Sequence, residues 1–560
     1  MAGIAKAVAT LLLGSLLSSL CLADEIAKAH AVAAAPGAVD AATVAAAQRL
    51  FRAGVLPDGK PLEGVRQEMA TLQGSDAACV RCHRRSGLGT AEGKVIIPPI
   101  TGKYLFKQRG LNLEDMDKPH VSNKGRVRPP YTVETLARAI REGIGSDGTA
   151  LNMLMPRYPV DDATLQGLVG YLGQLTSQPV PGVSSDTLRF ATIVTPDADP
   201  AAREGMLAVM RQFLVDRNHI IAGEARPMKE NHHGVMFRVT RRWELDVWEL
   251  TGAPDTWEKQ LEDKLEARPV FAVISGLAGR TWAPVHAFCE QRGLPCLLPN
   301  TELPVVNEGN FYPAYFSRGV LLEADLLRAR IAAASPSAGI KRVVQVYRQD
   351  DIGSDAAAAL RKALATVAVE SVDRALPATR EPGDVARALT GLANDSAVVL
   401  WLRPGDLAAL PAAAPAAGPA IYFSGLMGDF EKAPLPTAWR AAARMTYPME
   451  LPEKRRVAMS FPTNWFNIKH IPITSERVQV HTYLACQILS ETLGEMLDSF
   501  ERDYLVERLE VMLSHRLVNT YYPRLSLGQD QRFASKGGYL VRFVEPQGTQ
   551  IAADGEWTTP

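Results

Sequence analysis

The sequence predicts a multidomain chain: an all-α domain first, then an α/β domain of two lobes. Three observations carry this. At 560 residues, the chain is well beyond the ~250 to 300 at which one hydrophobic core stops growing, so at least two domains are expected. The texture changes near residue 180. Upstream, short helical segments are separated by long loops containing Gly and Pro; downstream, apolar strands alternate with amphipathic helices, the pattern of a parallel sheet covered on both faces. Between the two, Ser177-Gln-Pro-Val-Pro-Gly-Val-Ser-Ser185 has the Pro, Gly and Ser content of an interdomain linker. There is no internal repeat.

Hydrophobic residues make up 47% and charged residues 22%, an ordinary globular composition that excludes a disordered bulk. The formal net charge is +0, and no nucleic-acid partner is expected. The balance hides an asymmetry. From Arg81 to Arg157 there are 14 Lys or Arg against 7 Asp or Glu, a local excess of 7 positive charges that the remainder must offset.

The element order begins with a leader. Lys6, the apolar run Leu11 to Leu22 and the small residues Cys21 and Ala23 form a secretory signal over residues 1–23, cleaved near Ala23, so a periplasmic location is expected. The run is too short for a span of ~20 residues, no later segment is apolar enough, and no transmembrane segment is expected. A lipoprotein anchor on Cys21 is the alternative, disfavoured by Leu20. Residues 24–40 are an Ala-rich, flexible lead-in. The expected boundaries after that are 41–176, a linker at 177–186, the second domain at 187–545 and a tail at 546–560.

In the first domain, Ala42 to Arg52 reads as a helix closed by Gly54, and Thr132 caps a helix with Leu136 and Ile140 one turn apart. Asp161 caps another, whose stripe is Leu165, Leu168, Val169, Leu172 and Leu175. The loop Ser146 to Arg157 joins those last two helices.

Cys79-Val80-Arg81-Cys82-His83 is the attachment pattern of a c-type haem: two thiols spaced for the two vinyl groups and a histidine placed to bind the iron. A structural zinc site would need two further ligands, and no second Cys pair is nearby. A thioredoxin-like pair would follow a strand, whereas Gly74-Ser-Asp-Ala-Ala78 precedes this motif. The cofactor expected is therefore one covalent haem c. For the opposite face of the iron, a thioether on a loop between helices suits electron transfer and raises the potential. Met155, beside the fixed dihedral of Pro156, is the choice. Met153 is the nearest rival, core packing is the alternative for either, and His120 on a polar loop is a weaker rival.

Residues 43 to 176 resemble a class I cytochrome c, through the Cys79 to His83 motif, the Met155-Pro156 loop and a final helix containing Leu168-Val-Gly-Tyr-Leu172. The resemblance implies a helical fold enclosing the haem with one edge exposed. The chain departs from the compact family pattern in the long stretch Gly54 to Ala78, which leaves the family role of the first helix open. With both axial positions filled by protein, outer-sphere electron transfer is the implied activity. The basic segment suits an acidic docking partner; a solvated surface offsetting the haem propionates is the alternative.

In the second domain, strands are expected at Leu188 to Val194, Trp243 to Leu250, Val270 to Ser275, Pro295 to Leu298, Arg342 to Tyr347, Ala397 to Leu402 and Ala420 to Ser424. Helices are expected at Ala201 to Arg217, Asp255 to Glu266, Thr281 to Arg292, Leu321 to Ala333, Ser354 to Val367, Val478 to Leu497 and Tyr504 to His515. Cys289 and Cys296, 7 apart (296 − 289), leave a disulfide open in an oxidising compartment, and Cys486 reads as a buried small hydrophobe.

This order, with Ser275-Gly-Leu-Ala-Gly279, Pro299-Asn-Thr301 and Tyr347-Arg-Gln-Asp-Asp-Ile-Gly353, resembles type I periplasmic solute-binding proteins, the group that includes amino-acid receptors of ABC transporters. The resemblance implies two Rossmann-like lobes closing over a ligand. The complete fold reading is thus an all-α cytochrome c domain followed by an α/β two-lobed periplasmic-binding-protein-like domain. Because the carboxyl ends of strands line such crevices, Ser275, Asn300, Thr301, Tyr347 and Ser424 are the candidate ligand-binding positions, with turn or capping roles the alternative. No catalytic arrangement stands out, and His232-His233 reads as surface, so an enzyme is not expected. The functional expectation is an electron carrier whose second domain senses a small molecule or docks a partner. Resemblance to exported cytochromes that accompany quinoprotein dehydrogenases makes such an enzyme, or a terminal oxidase, the expected redox partner. The alternative is a solute receptor of an ABC-type transport system with an accessory haem domain. A di-haem peroxidase would need a second attachment motif.

Overall fold

Asp40 caps the helix over Ala41–Ala53 by accepting hydrogen bonds from the backbone N–H of Ala42 (2.9 Å) and Thr43 (3.0 Å), two of the donors a helix start leaves unpaired. In the computed structural model, residues 40–66, 71–92, 95–106, 128–224, 241–307, 309–338, 340–415, 420–496 and 499–560 are described. The secretory signal with Cys21, nearly all of the lead-in, His120, His232 and His233 lie outside those residues. The chain divides into two units, Met1–Pro179 and Val180–Pro560.

In the first unit, helix α1 (Ala41–Ala53) ends at Gly54 with φ +65°. A Cβ there would meet the carbonyl oxygen of Gly74 at 1.8 Å, so only glycine closes this helix. Helix α2 (Val80–His83) is a single turn, α3 (Val133–Arg141) is capped by Thr132, and α4 (Asp162–Gln174) is capped by Asp161, which accepts from Thr164 N at 2.7 Å. Helix α1 packs on α4. Gly167 faces Thr43 and Ala47 closely enough that a Cβ would sit 3.0 Å from Thr43 Cγ2, and the Phe51 and Tyr171 rings meet at 5.4 Å. The first helix, whose role the long following stretch left open, therefore pairs with the last one. Leu50, Phe51, Leu136, Ile140, Leu165, Leu168, Val169 and Leu172 form the shared core, with Leu175 partly buried against it. The unit departs from the all-α expectation in two short antiparallel pairings, Glu63–Gly64 with Leu72–Gln73 and Thr90–Glu92 with Val95–Ile97. Both lie in the Gly- and Pro-containing loops, too short for periodicity to announce them.

The second unit contains two sheets. The first lobe holds β1 (Thr187–Val194), β2 (Arg242–Glu249), β3 (Ala272–Ile274), β4 (Cys296–Leu297) and β5 (Pro313–Ala314), in the order β2-β1-β3-β4-β5 and parallel throughout. Helices α5 (Pro200–Glu224), α6 (Trp257–Ala267) and α7 (Ala283–Gln291) alternate with these strands. The second lobe holds β6 (Arg342–Arg348), β7 (Glu370–Leu376), β8 (Ser396–Trp401), β9 (Ala420–Phe423), β10 (Ala443–Tyr447), β11 (Tyr539–Phe543) and β12 (Ile551–Ala553), in the order β7-β6-β8-β9-β10-β11-β12. The first five of that order are parallel and the last two antiparallel. Phe190 to Val194 and all of β8 are buried, as strands covered on both faces require.

The chain passes between the lobes three times. Helix α8 (Val320–Ala338) follows β5 and packs on α9 (Gly353–Leu364) and β10 of the second lobe, where the short α10 (Asp384–Ala388) follows β7. After β10, α11 (Pro452–Ile468), α12 (Glu476–Met496) and α13 (Arg502–His515) return to the first lobe, where α12 packs on α5 and β3. The chain then pairs Tyr315 with Phe533 and re-enters the second sheet as β11.

Several expectations are corrected here. Residues 546–560 are not a tail: β12 pairs with β11, and Gly538 bridges Thr558. The second-unit side of the linker is structured, since Arg189 N donates to Gly182 O at 2.8 Å and a Cβ on Gly182 would lie 2.1 Å from Phe271 N. At Cys289 and Cys296, where a disulfide was left open, the structure has two buried free thiols. Strands β5, β7, β10, β11 and β12 and helix α11 were not expected. Strand β7 lies at the sheet edge and β5 has two residues, so neither carries a long apolar run. No helix among the described residues is long and apolar enough to cross a membrane.

Candidate functional sites

Cys79, Cys82 and His83 share one turn: His83 N donates to Cys79 O at 2.9 Å and Cys82 N to the same oxygen at 3.3 Å. The chain then loops back so that His83 Nδ1 lies 3.1 Å from the carbonyl oxygen of Pro98. A carbonyl oxygen only accepts, so Nδ1 carries the hydrogen and Nε2 presents a lone pair. Gly89 permits this return. Its φ is +76°, and a Cβ there would meet Ile97 O at 2.1 Å and Pro98 C at 2.9 Å. Burial pushes His83 down to about 4, keeping the ring neutral, and pushes the Cys79 thiol up to about 12. A raised thiol argues against a thioredoxin-like redox pair, whose attacking cysteine needs the opposite shift. Among the described residues, no cluster of three His, Cys, Asp or Glu could hold a metal ion. Two thiols and a neutral imidazole with a fixed tautomer fit a covalently attached haem. Met155 is half-buried in the loop between α3 and α4, while Met153 is 53% exposed.

In the second unit, the five predicted polar positions do not form one surface. Ser275, fully buried at the end of β3, lies 3.2 Å from Thr482 Oγ1 and accepts from Asn300 Nδ2 at 3.1 Å. Asn300 Nδ2 also reaches Thr482 Oγ1 at 3.2 Å. The three side chains join two strand ends to α12. Ser424 is buried as well; it accepts from Met427 N at 3.1 Å and donates to Glu323. Thr301 and Tyr347 remain half-buried. For Ser275, Asn300 and Ser424, the observed roles are thus internal stitching and capping.

Sequence reasoning missed the charged residues that span the two lobes. Arg403, just after β8, donates through one terminal nitrogen to Glu302 Oε2 (2.7 Å) and through Nε and the other terminal nitrogen to Asp351 (both 3.0 Å). Arg477, in the first turn of α12, donates to Glu302 Oε1 at 2.5 Å. Burial alone would push the Glu302 carboxyl up, but the Arg403 and Arg477 guanidiniums outweigh it and hold it below its ordinary range. At the exposed margin, Arg280 approaches Asp350 at 3.5 Å. The signal available was position alone: Glu302 and Arg403 each follow a strand end by a few residues. A cavity of about 360 Å³ also lies in this unit, lined among others by His286, Asn307, Arg318, Asp325 and Ser535. Ser535 Oγ is buried there without a hydrogen-bond partner.

No protein-family model matches the chain, and no curated protein matches it. Solved structures do. A fatty acid ABC transporter substrate-binding protein from Thermomonospora curvata matches with a TM-score of 0.50 at 14% identity, over 68% of this chain and 95% of that one. A branched-chain amino acid ABC transporter protein from Thermus thermophilus, with bound valine, matches with a TM-score of 0.48 at 11% identity, over 68% of this chain and 98% of that one. The first likeness establishes a fold: the two-lobed α/β architecture of periplasmic substrate-binding proteins.

Proposed function

We propose that the first unit carries one haem c, bound through Cys79 and Cys82 with His83 and Met155 on the iron, and that the chain is an exported electron carrier. The observation that carries this is the 3.1 Å contact between His83 Nδ1 and Pro98 O beside the two cysteines: it aims the free nitrogen and fixes its tautomer, as a carbonyl bonded to the far nitrogen of a metal-bound histidine does. The haem would supply one-electron chemistry, and the surrounding residues would set its potential. The second unit would dock or sense the redox partner, an enzyme such as a quinoprotein dehydrogenase or a terminal oxidase. Acid-acetone extraction followed by a pyridine haemochrome assay tests the attachment. One haem retained per chain is expected, and haem released into the solvent would refute it.

A second reading, a solute receptor of an ABC-type transport system, is favoured by the second unit's fold and by the 360 Å³ cavity, within the range that holds small ligands. A metabolite at 100 times its dissociation constant would then stabilise the second unit by about 2.7 kcal/mol. A thermal screen of the full chain that shows no such rise with any metabolite, while the haem is present, leaves the carrier reading standing alone.

A further inference from the structure

The stretch between α1 and the cysteine motif does more than lengthen a loop. Leu62 is fixed from two sides, donating its N–H to Gly54 O at 2.7 Å and accepting from Gly74 N at 2.9 Å. Three residues on, Val65 forms a closed pair with Arg157: Val65 N donates to Arg157 O at 2.9 Å, and Arg157 N to Val65 O at 2.8 Å. Between them, Gly64 lies so close to the methionine loop that a Cβ would be 3.0 Å from both Pro156 Cβ and Tyr158 Cε1. The loop is gripped elsewhere too. The Arg157 guanidinium donates to Met155 O and occupies the space over Gly143, where a Cβ would sit 1.9 Å from Arg157 Cζ. Tyr158 N donates to Ile140 O at 3.0 Å, and its hydroxyl to Ala77 O at 3.0 Å, two residues before Cys79.

We propose that Leu62–Val65 is a strap holding the Met155 loop in the geometry that presents its sulfur to the haem, with Gly64, Val65 and Arg157 as positioning residues. The proposal rests on the haem reading above. A thioether is a neutral, weak ligand, so its hold on iron depends on a backbone fixed beforehand. The segment on the C-terminal side of Met155 is tied through the strap to Gly54 at the end of α1, and through Tyr158 to α3 and to Ala77, two residues ahead of the cysteine motif, which makes the strap part of the site.

The test uses full-length holoprotein and three readouts: haem per chain, the weak long-wavelength ferric absorption band that marks sulfur ligation, and the midpoint potential. Gly64→Val should drive Pro156 and Tyr158 away. Arg157→Lys should remove the guanidinium N–H from Met155 O while keeping the charge. In both variants the band should fall to roughly half or less and the potential should drop, with haem per chain unchanged. If Gly64→Val loses haem or fails to fold, Arg157→Lys decides. An unchanged band and potential in Arg157→Lys, with Met155→Ala abolishing the band, overturns the strap. A parent lacking the band overturns Met155 and the strap together. A parent lacking covalent haem overturns the haem reading itself.

Discussion

In the first unit, His83 is aimed by an uncharged hydrogen bond to a carbonyl 15 residues away. In the second, Glu302 is held by two guanidiniums 101 and 175 residues further along. The difference is one of physical currency. A hydrogen bond from a neutral ring to a backbone carbonyl is little affected by salt. An ion-pair network between lobes is only as strong as its charge balance, because every charge taken from water must be matched. The second unit repeats the pattern inside its lobes, with Arg348 between Asp384 and Asp406 and with Arg532 on Glu510, all buried. Proton and salt concentrations should therefore act on the second unit far more than on the first.

The largest expected effect comes from Glu323. Burial pushes its carboxyl up from 4.5 to about 7, despite hydrogen bonds from Ser424, Leu426 N (3.0 Å) and Thr446 (2.7 Å). The folded state keeps this proton where the unfolded chain loses it. The contribution is therefore fully present below pH 4.5 and fades as pH rises through about 7, by about 3 kcal/mol in all. All 8 tryptophans, from Trp243 to Trp557, belong to the second unit, so urea unfolding followed by tryptophan emission reads this unit alone. Glu323→Gln should flatten the slope between pH 4.5 and 7; an unchanged slope assigns it to another group.

Glu302→Gln comes next. Removing the carboxylate leaves Arg403 bonded to Asp351 and Arg477 without its ion-pair partner Glu302, and should cost about 2 kcal/mol, less than a fully buried pair because Arg403 keeps some solvent. Small-angle scattering should show the lobes apart. If stability and scattering match the parent, packing rather than charge closes the cleft. The smallest effect is expected from Arg280→Ala. Its pair with Asp350 is exposed on both sides, so stability should stay within about 0.5 kcal/mol. A larger loss would mean that the cleft margin is drier than its exposure indicates.

The same contrast governs what could be read from the sequence. The closure at Gly54, the caps at Thr132 and Asp161 and the Cys79 to His83 motif are local, because residues a few positions apart meet through one helical turn. Strands β1, β6 and β8 are legible because burial on both faces demands continuous apolar runs. Nothing local marks Glu302 as the partner of Arg403, or Val65 as the partner of Arg157, since each pairing forms only once distant segments fold together. Ser275, Asn300 and Ser424 sit at strand ends as expected, but the neighbours that bury them, Thr482 and Glu323, come from helices far along the chain. Residues 546–560 read as a tail because β12 is only three residues long and its pairing with β11 supplies what periodicity cannot.

The three passages between lobes set an order of assembly. The first lobe lacks α12 until residue 496 has been made, and the second sheet lacks its edge strand until residue 553. During synthesis, the first unit leaves the ribosome whole and can fold at once, whereas the second must keep both half-built lobes waiting for its last stretch of chain. Parallel strands joined late are slow to close, and partial lobes expose apolar surface in the meantime. Aggregation during synthesis should therefore originate in the second unit, and shortening the chain even by its final dozen residues should hurt yield more than any single change in the cysteine motif.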